Sequence, residues 1–157
     1  MQKELIICST LLIETSPQAL PLGAACIASA LKNDLLTKDK FEVKLISQSL
    51  EDIANKKIDD VALYFANILL EQNPKYLCFS VYVWNRNLIE QTAKVIKQKS
   101  ANIVIIAGGP EVTANPLSFE NFDYTISGAG EKSVPELINC LENRITNLPL
   151  GVYTKNH

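Results

Sequence analysis

A chain of 157 residues with 47% apolar and 20% charged residues has the length and composition of one globular domain. Its 15 Lys and Arg stand against 17 Asp and Glu for a net charge of −2, with no basic cluster, which argues against nucleic acid or an anionic membrane as partner. The longest apolar runs, such as "LPLGAACIASAL" at 20–31, are shorter than the roughly 20 residues of a bilayer-spanning helix and lack the basic lead-in of a signal peptide, so the chain reads as cytoplasmic.

In chain order, "ELIICS" at 4–9 reads as a first strand. Pro21 opens a first helix, with Leu20, Ala24, Ile27 and Leu31 on one stripe. The alanines and Gly23 of that helix make its face thin enough to approach a sheet or a ligand closely. "FEVKLIS" at 41–47 alternates apolar and polar residues, as an edge strand does. Val61, Ala62, Phe65, Ile68 and Leu69 recur at helical spacing until Asn73 and Pro74 stop the second helix. "YLCFSVYV" at 76–83 is a third strand, and Asn87 with Glu90 reads as the capping pair of a third helix. "IVIIAG" at 103–108 is a fourth strand, and the polar stretch behind it, broken by Pro116, holds at most a short helix. "YTIS" at 124–127 completes the strands, and "SVPE" at 133–136 reads as a capping box opening the last helix. Beyond Arg144 there is one more possible short strand.

Alternating strands and helices imply right-handed crossovers and an α/β three-layer sandwich with a five-stranded parallel sheet of flavodoxin-like order 2-1-3-4-5. Ligands of such sheets bind outside the carboxyl ends of the strands. Four conspicuous loops fall there: "STLLIETSPQALP", "SVYVWNRN", "GGPEVTANP" and "SGAGEKS". Their hydroxyls, at Ser9, Thr10, Thr15, Ser16, Ser80 and Ser127, offer donors and acceptors, and Tyr82 and Trp84 offer flat apolar surface. This chemistry suits binding rather than catalysis, and no catalytic residue is assigned. Cys8, Cys26, Cys78 and Cys140 are too scattered for a metal motif and read as buried, reduced thiols. The only histidine, His157, ends the chain and is a poor candidate for metal ligation. No GxGxxG, GxxxxGK[ST] or acidic phosphoacceptor cluster is present.

Taken together, "LPLGAACIASALK", "SVYVWNRN", "AGGPEVTANPLSFENFDYTISGAGEKSVPEL" and "LPLGVYTKN" resemble the amino-terminal cobalamin-binding domain of cobalamin-dependent radical S-adenosylmethionine enzymes. The resemblance implies cobalamin held with its nucleotide tail extended into the sheet edge and its corrin flat over the loops. It would place Gly108, Gly109 and the Pro110 turn along the tail, with Ser80 and Val81 in the same groove. Tyr82, Val83, Trp84 and Asn85 would lie beneath or beside the corrin. Ser127, Gly128, Gly130 and Glu131 would close the groove, and the loop from Ser9 to Ala19 would sit under the cobalt.

Three departures accompany the resemblance. The first loop has no D-x-H-x-x-G histidine, Glu111 stands where family members often have histidine, and Ala129 replaces the first glutamate of G-E-G-E. No CxxxCxxC is present, so an iron-sulfur cluster and S-adenosylmethionine would belong to a downstream domain of the same polypeptide. Residues 1–143 are then expected to form the cobalamin-type domain and 144–157 to begin a linker. Two alternatives stand beside this reading: a domain of the same ancestry that has lost the cofactor and serves as an interaction surface, or a flavodoxin-like domain binding another nucleotide.

Overall fold

The computed structural model describes residues 3–53 and 55–154. Its strands are β1 (Glu4–Leu12), β2 (Phe41–Ser49), β3 (Tyr76–Ser80), β4 (Val104–Gly108), β5 (Tyr124–Ile126) and β6 (Val152–Tyr153). They form one sheet in the order β2-β1-β3-β4-β5-β6. The first five pair in parallel, in the order expected from the sequence. The sixth runs antiparallel to β5 through Thr125↔Tyr153 and Ile126↔Val152. The expected five-stranded parallel sheet is therefore a six-stranded mixed one, because the short strand beyond Arg144 turns back at Gly151 and covers the open edge of β5.

Among the described residues, five α-helices, α1 (Leu22–Asn33), α2 (Ile58–Leu70), α3 (Arg86–Lys99), α4 (Pro110–Ala114) and α5 (Gly130–Glu142), complete the fold, with short 3-10 turns at Glu51–Ile53 and Pro116–Ser118. Successive strand residues point to opposite faces, and both faces are covered. Ile6, Cys8, Cys78, Ile106 and Ile126 pack under α1 and α5. Ile7, Leu11, Leu77, Phe79 and Ile105 pack under α2 and α3. This two-sided burial is why the inner strands are continuous apolar runs. Enclosing a side chain such as Phe65 or Ile96 contributes roughly 1.5–3 kcal/mol. At the edge, β2 buries Phe41 and Val43 and exposes Glu42 between them, which accounts for its alternation, although Leu45, on the same face as Phe41 and Val43, is exposed.

Element boundaries depart from expectation where a distant partner decides them. β1 runs past Ser9 because β2 supplies register partners as far as Leu12↔Ser49. β3 stops at Ser80, and the amides of Asn85 and Arg86 turn the chain by donating to the carbonyl of Tyr82. α3 starts at Arg86 with Asn85 as its cap residue, so Asn87 lies inside the first turn and does not cap it. α5 starts at Gly130, one turn before Ser133, and Pro135 lies within it. Among the described residues, no helix is long and apolar enough to cross a membrane.

Candidate functional site

β3, β4 and β5 end together, and beyond their carboxyl ends a cleft of about 190 Å³ opens between α1 and α5. Its floor is the sheet face carrying Cys78, Ile106 and Ile126. One wall is Gly23 and Ile27 of α1; the other is Gly130, Glu131 and Val134 of α5. Of the residues picked out from sequence, Ser80, Tyr82, Gly108, Gly109 and Pro110 meet here, as do Gly128, Gly130 and Glu131. Gly23, Ile27, Cys78, Ile106, Ile126 and Val134 were not picked out. The thin face of the first helix was the signal for Gly23 and Ile27; the floor residues look like ordinary core residues in sequence.

The two adjacent glycines do different work. A Cβ on Gly109 would lie 2.6 Å from the carbonyl oxygen of Val81, and its φ of +107° is one that side chains rarely adopt. What lies against Gly109 is thus the protein's own backbone. A Cβ on Gly108 would meet nothing closer than Ile126 at 3.9 Å, so the bare backbone there leaves open cleft. Across the cleft, a Cβ on Gly23 would approach the Tyr82 hydroxyl to 2.7 Å and the Ser80 hydroxyl to 3.2 Å.

Tyr82 also borders a second hollow of about 460 Å³, together with Trp84, Thr10, Ile13 and Leu20. The Tyr82 and Trp84 rings stack with centroids 4.6 Å apart and planes 8° apart. Val83, Leu20 and Leu22 are exposed beside them, so the carboxyl edge carries an apolar surface. Buried Asn85 anchors this turn: its side chain accepts from the Tyr82 amide at 2.8 Å and donates to the Leu11 carbonyl at 3.1 Å and the Thr10 hydroxyl at 3.2 Å. Thr10 in turn donates to the Ser80 carbonyl at 2.8 Å. Thr10 and Asn85 therefore hold the ends of β1 and β3 together from within.

The remaining candidates lie elsewhere. Ser9 shares strand parity with Ile7 and Leu11 and so faces the α2 and α3 layer, away from the cleft. Its hydroxyl is buried without a partner among the described residues. Thr15 is tied outward, its amide donating to Glu51 at 2.8 Å, and Ser16 donates to Glu14 at 2.9 Å. Val81 is enclosed beneath Gly109, while the Ser127 amide donates to the Gly151 carbonyl at 2.9 Å. Glu111 accepts from Arg86 Nη1 at 2.9 Å and is not part of the cleft lining. The hydrogen bond to Glu111 outweighs burial and, with Glu90, holds the guanidinium firmly charged. Arg86 also donates to the Ser118 hydroxyl at 2.9 Å and sits 4.4 Å over the Phe119 ring. His157 lies outside the described residues. Among the described residues, no three His, Cys, Asp or Glu side chains gather as a metal site.

Residues 9–138 match the family model described as the B12 binding domain. A 69-residue stretch is 35% identical to the cobalamin-dependent radical SAM methyltransferase TokK of Streptomyces tokunonensis, covering 41% of this chain and 10% of that protein. A 70-residue stretch is 31% identical to the 2-(S-pantetheinyl)-carbapenam-3-carboxylate methyltransferase of Streptantibioticus cattleyicolor, covering 42% of this chain and 10% of that protein. The match thus spans about a tenth of the length of these curated relatives.

Proposed function

The chain belongs to the B12-binding domain family, and from that premise we propose that it is the cobalamin-holding module of a cytoplasmic radical S-adenosylmethionine enzyme. The observation that carries this reading is the cleft between α1 and α5, open where β3 and β4 end on Ser80 and Gly108. Its apolar floor of Cys78, Ile106 and Ile126 suits a flat heteroaromatic base, and the side-chain-free edge at Gly108 suits the chain leading from it. Ser80 and the 128–130 turn would hydrogen-bond the polar part of that nucleotide tail. Outside the cleft, Val83, Trp84 and Leu20 form an apolar shelf on which a corrin would lie. Thr10 and Asn85 would act by position, fixing the turn that carries Tyr82 and Trp84.

When bound, cobalamin would supply a cobalt centre able to carry a transferable methyl group. The described residues contain no histidine, so they would offer cobalt no imidazole. The iron-sulfur cluster and S-adenosylmethionine would be held by a downstream domain of the same polypeptide; the module itself would run past residue 143 through β6, whose Val152 and Tyr153 pair with β5, so the linker expected from 144 onward is part of the fold at least that far. Glu111, engaged by Arg86, would serve the fold rather than the cofactor.

Hydroxocobalamin added to the purified protein and followed by desalting tests the reading. A corrin absorption band should stay with the protein at near one equivalent. Colourless protein after incubation in large excess overturns it. A second reading, an interaction domain that has lost the cofactor, is favoured by the same exposed Val83, Trp84 and Leu22. Colourless protein is the outcome that reading expects.

A further inference from the structure

Cys8 on β1 and Cys78 on β3 stand opposite each other in direct parallel register. Both project to the α1 and α5 side of the sheet. Neighbouring strands run about 4.7–4.9 Å apart, within the roughly 4.4–6.8 Å of Cα separation that a disulfide spans. Shared register and a shared face thus place the two side chains next to each other. Cys8 is fully enclosed, whereas Cys78 is part of the cleft floor. A small molecule entering the cleft therefore reaches Cys78 first and Cys8 only through it.

The surroundings decide what such a molecule would be. Cys78 has Ile27, Ile106 and Ile126 as cleft neighbours, and no cationic side chain lines the cleft. The hydrogen bond with Cys8 and burial push the Cys78 thiol up, so a thiolate is scarce there. A neutral, apolar reagent can partition onto the floor of Cys78, Ile106 and Ile126 and wait for the rare thiolate, whereas Glu131 on the wall disfavours an anionic one.

We propose that Cys8 and Cys78 form an oxidisable dithiol at the floor of the cleft, closed to a disulfide by a small neutral disulfide and shielded when the cleft is filled. In the first step Cys78 loses its proton and attacks one sulfur of the reagent, whose S–S bond breaks and releases one thiol. Cys8 then loses its proton and attacks the Cys78 sulfur of the mixed disulfide, releasing the second thiol. Two protein thiols are oxidised and one reagent disulfide is reduced to two thiols. The shielding half of the proposal rests on the cobalamin reading, whereas the dithiol half does not.

The test uses the whole chain carrying Cys26→Ser and Cys140→Ala, so that only the pair remains, with one equivalent of 2,2′-dithiodipyridine. Two pyridinethiones per chain and a mass loss of two hydrogens are expected. A single pyridinethione with a lasting mixed-disulfide adduct, or no release short of unfolding, overturns the dithiol. Adding Cys8→Ala should leave one pyridinethione and a stable adduct on Cys78; two pyridinethiones from that variant also overturn it. If the background variant does not fold, peptide mapping of a Cys8–Cys78 linkage in the wild-type protein decides the same point. Prior loading with hydroxocobalamin should slow release at least tenfold. Unchanged release from protein that retains hydroxocobalamin overturns the shielding. Failure to retain hydroxocobalamin removes the cobalamin reading, and with it the shielding, while the cofactor-free measurement still decides the dithiol.

Discussion

The carbonyl oxygen of Val81 lies 2.6 Å from where a side chain on Gly109 would begin. The two segments are also joined by hydrogen bonds, from the Val81 amide to the Gly108 carbonyl at 2.8 Å and from the Glu111 amide to the Val81 carbonyl at 3.4 Å. This lock leaves Gly108 facing the cleft. Gly109→Ala should therefore cost roughly 2–3 kcal/mol, from a strained φ and a backbone collision. Gly108→Ala should change stability by less than about 1 kcal/mol, and Gly108→Leu should keep the fold while abolishing retention of hydroxocobalamin. Urea unfolding and desalting measure the two effects separately. A Gly109→Ala protein as stable as wild type contradicts the lock.

Arg86 and Glu111 are each 26% exposed and bonded at 2.9 Å on the side of the chain away from the cleft. Glu111→Gln should lower stability by about 1 kcal/mol, since a partly solvated pair is screened and Arg86 keeps Glu90 and Ser118. Hydroxocobalamin retention should stay within twofold of wild type. A large loss of retention with unchanged stability would place Glu111 in the cofactor site instead.

At the opposite end of the sheet, the Tyr76 hydroxyl donates to Glu142 at 2.5 Å and Lys75 donates to it at 3.0 Å. Burial disfavours the charge on Glu142, but these hydrogen bonds and the lysine charges outweigh it and hold the carboxyl below its ordinary 4.5. The folded carboxyl thus ionises more readily than the unfolded one. Its contribution to stability is complete above that ordinary value and is lost as pH falls through the folded one. Wild type should exceed Glu142→Gln in stability by about 1 kcal/mol at neutral pH, with the gap closing as pH falls below the ordinary 4.5 and through the lower folded value. A gap that persists unchanged in acid rules the linkage out.

Trp84 is the sole tryptophan, stacked on Tyr82 at the rim shared by the two hollows. Its emission should be quenched by at least half on saturation with hydroxocobalamin, because a corrin on this shelf would accept its excitation. Tyr82→Ala should shift the emission to longer wavelength in the cofactor-free protein, as the indole loses its covering ring and meets water. Emission insensitive to both changes contradicts the shelf.

Much of the fold was legible because it rests on periodicity. The continuous runs "YLCFS" and "IVIIAG" mark strands buried on both faces, and the alternation of "FEVKLIS" marks the edge. The meeting of Ser80, Gly108 and Gly128 followed from parallel topology, which brings the strand ends to one side. What escaped notice depends on partners far apart in sequence. Asn85 rather than Asn87 precedes α3 because Thr10 and Leu11 are there to receive its side chain. Ser9 turned out to face the far layer because β1 does not end where its apolar run does. The bareness at 108–109 was visible, but its division into one glycine facing the cleft and one packed on Val81 needed the neighbouring strand.

The sheet order has a consequence for how the molecule is made. β1, the earliest of these strands to have neighbours on both edges, is made before both its partners and pairs with β2 and then with β3. Until Tyr76–Ser80 emerges, the amides and carbonyls along one edge of "ELIICSTLL" have no strand partner. Nascent chains halted before Ser80 should therefore be sticky intermediates that chaperones hold, whereas chains that have released α5, which closes the second sheet face, should resist protease.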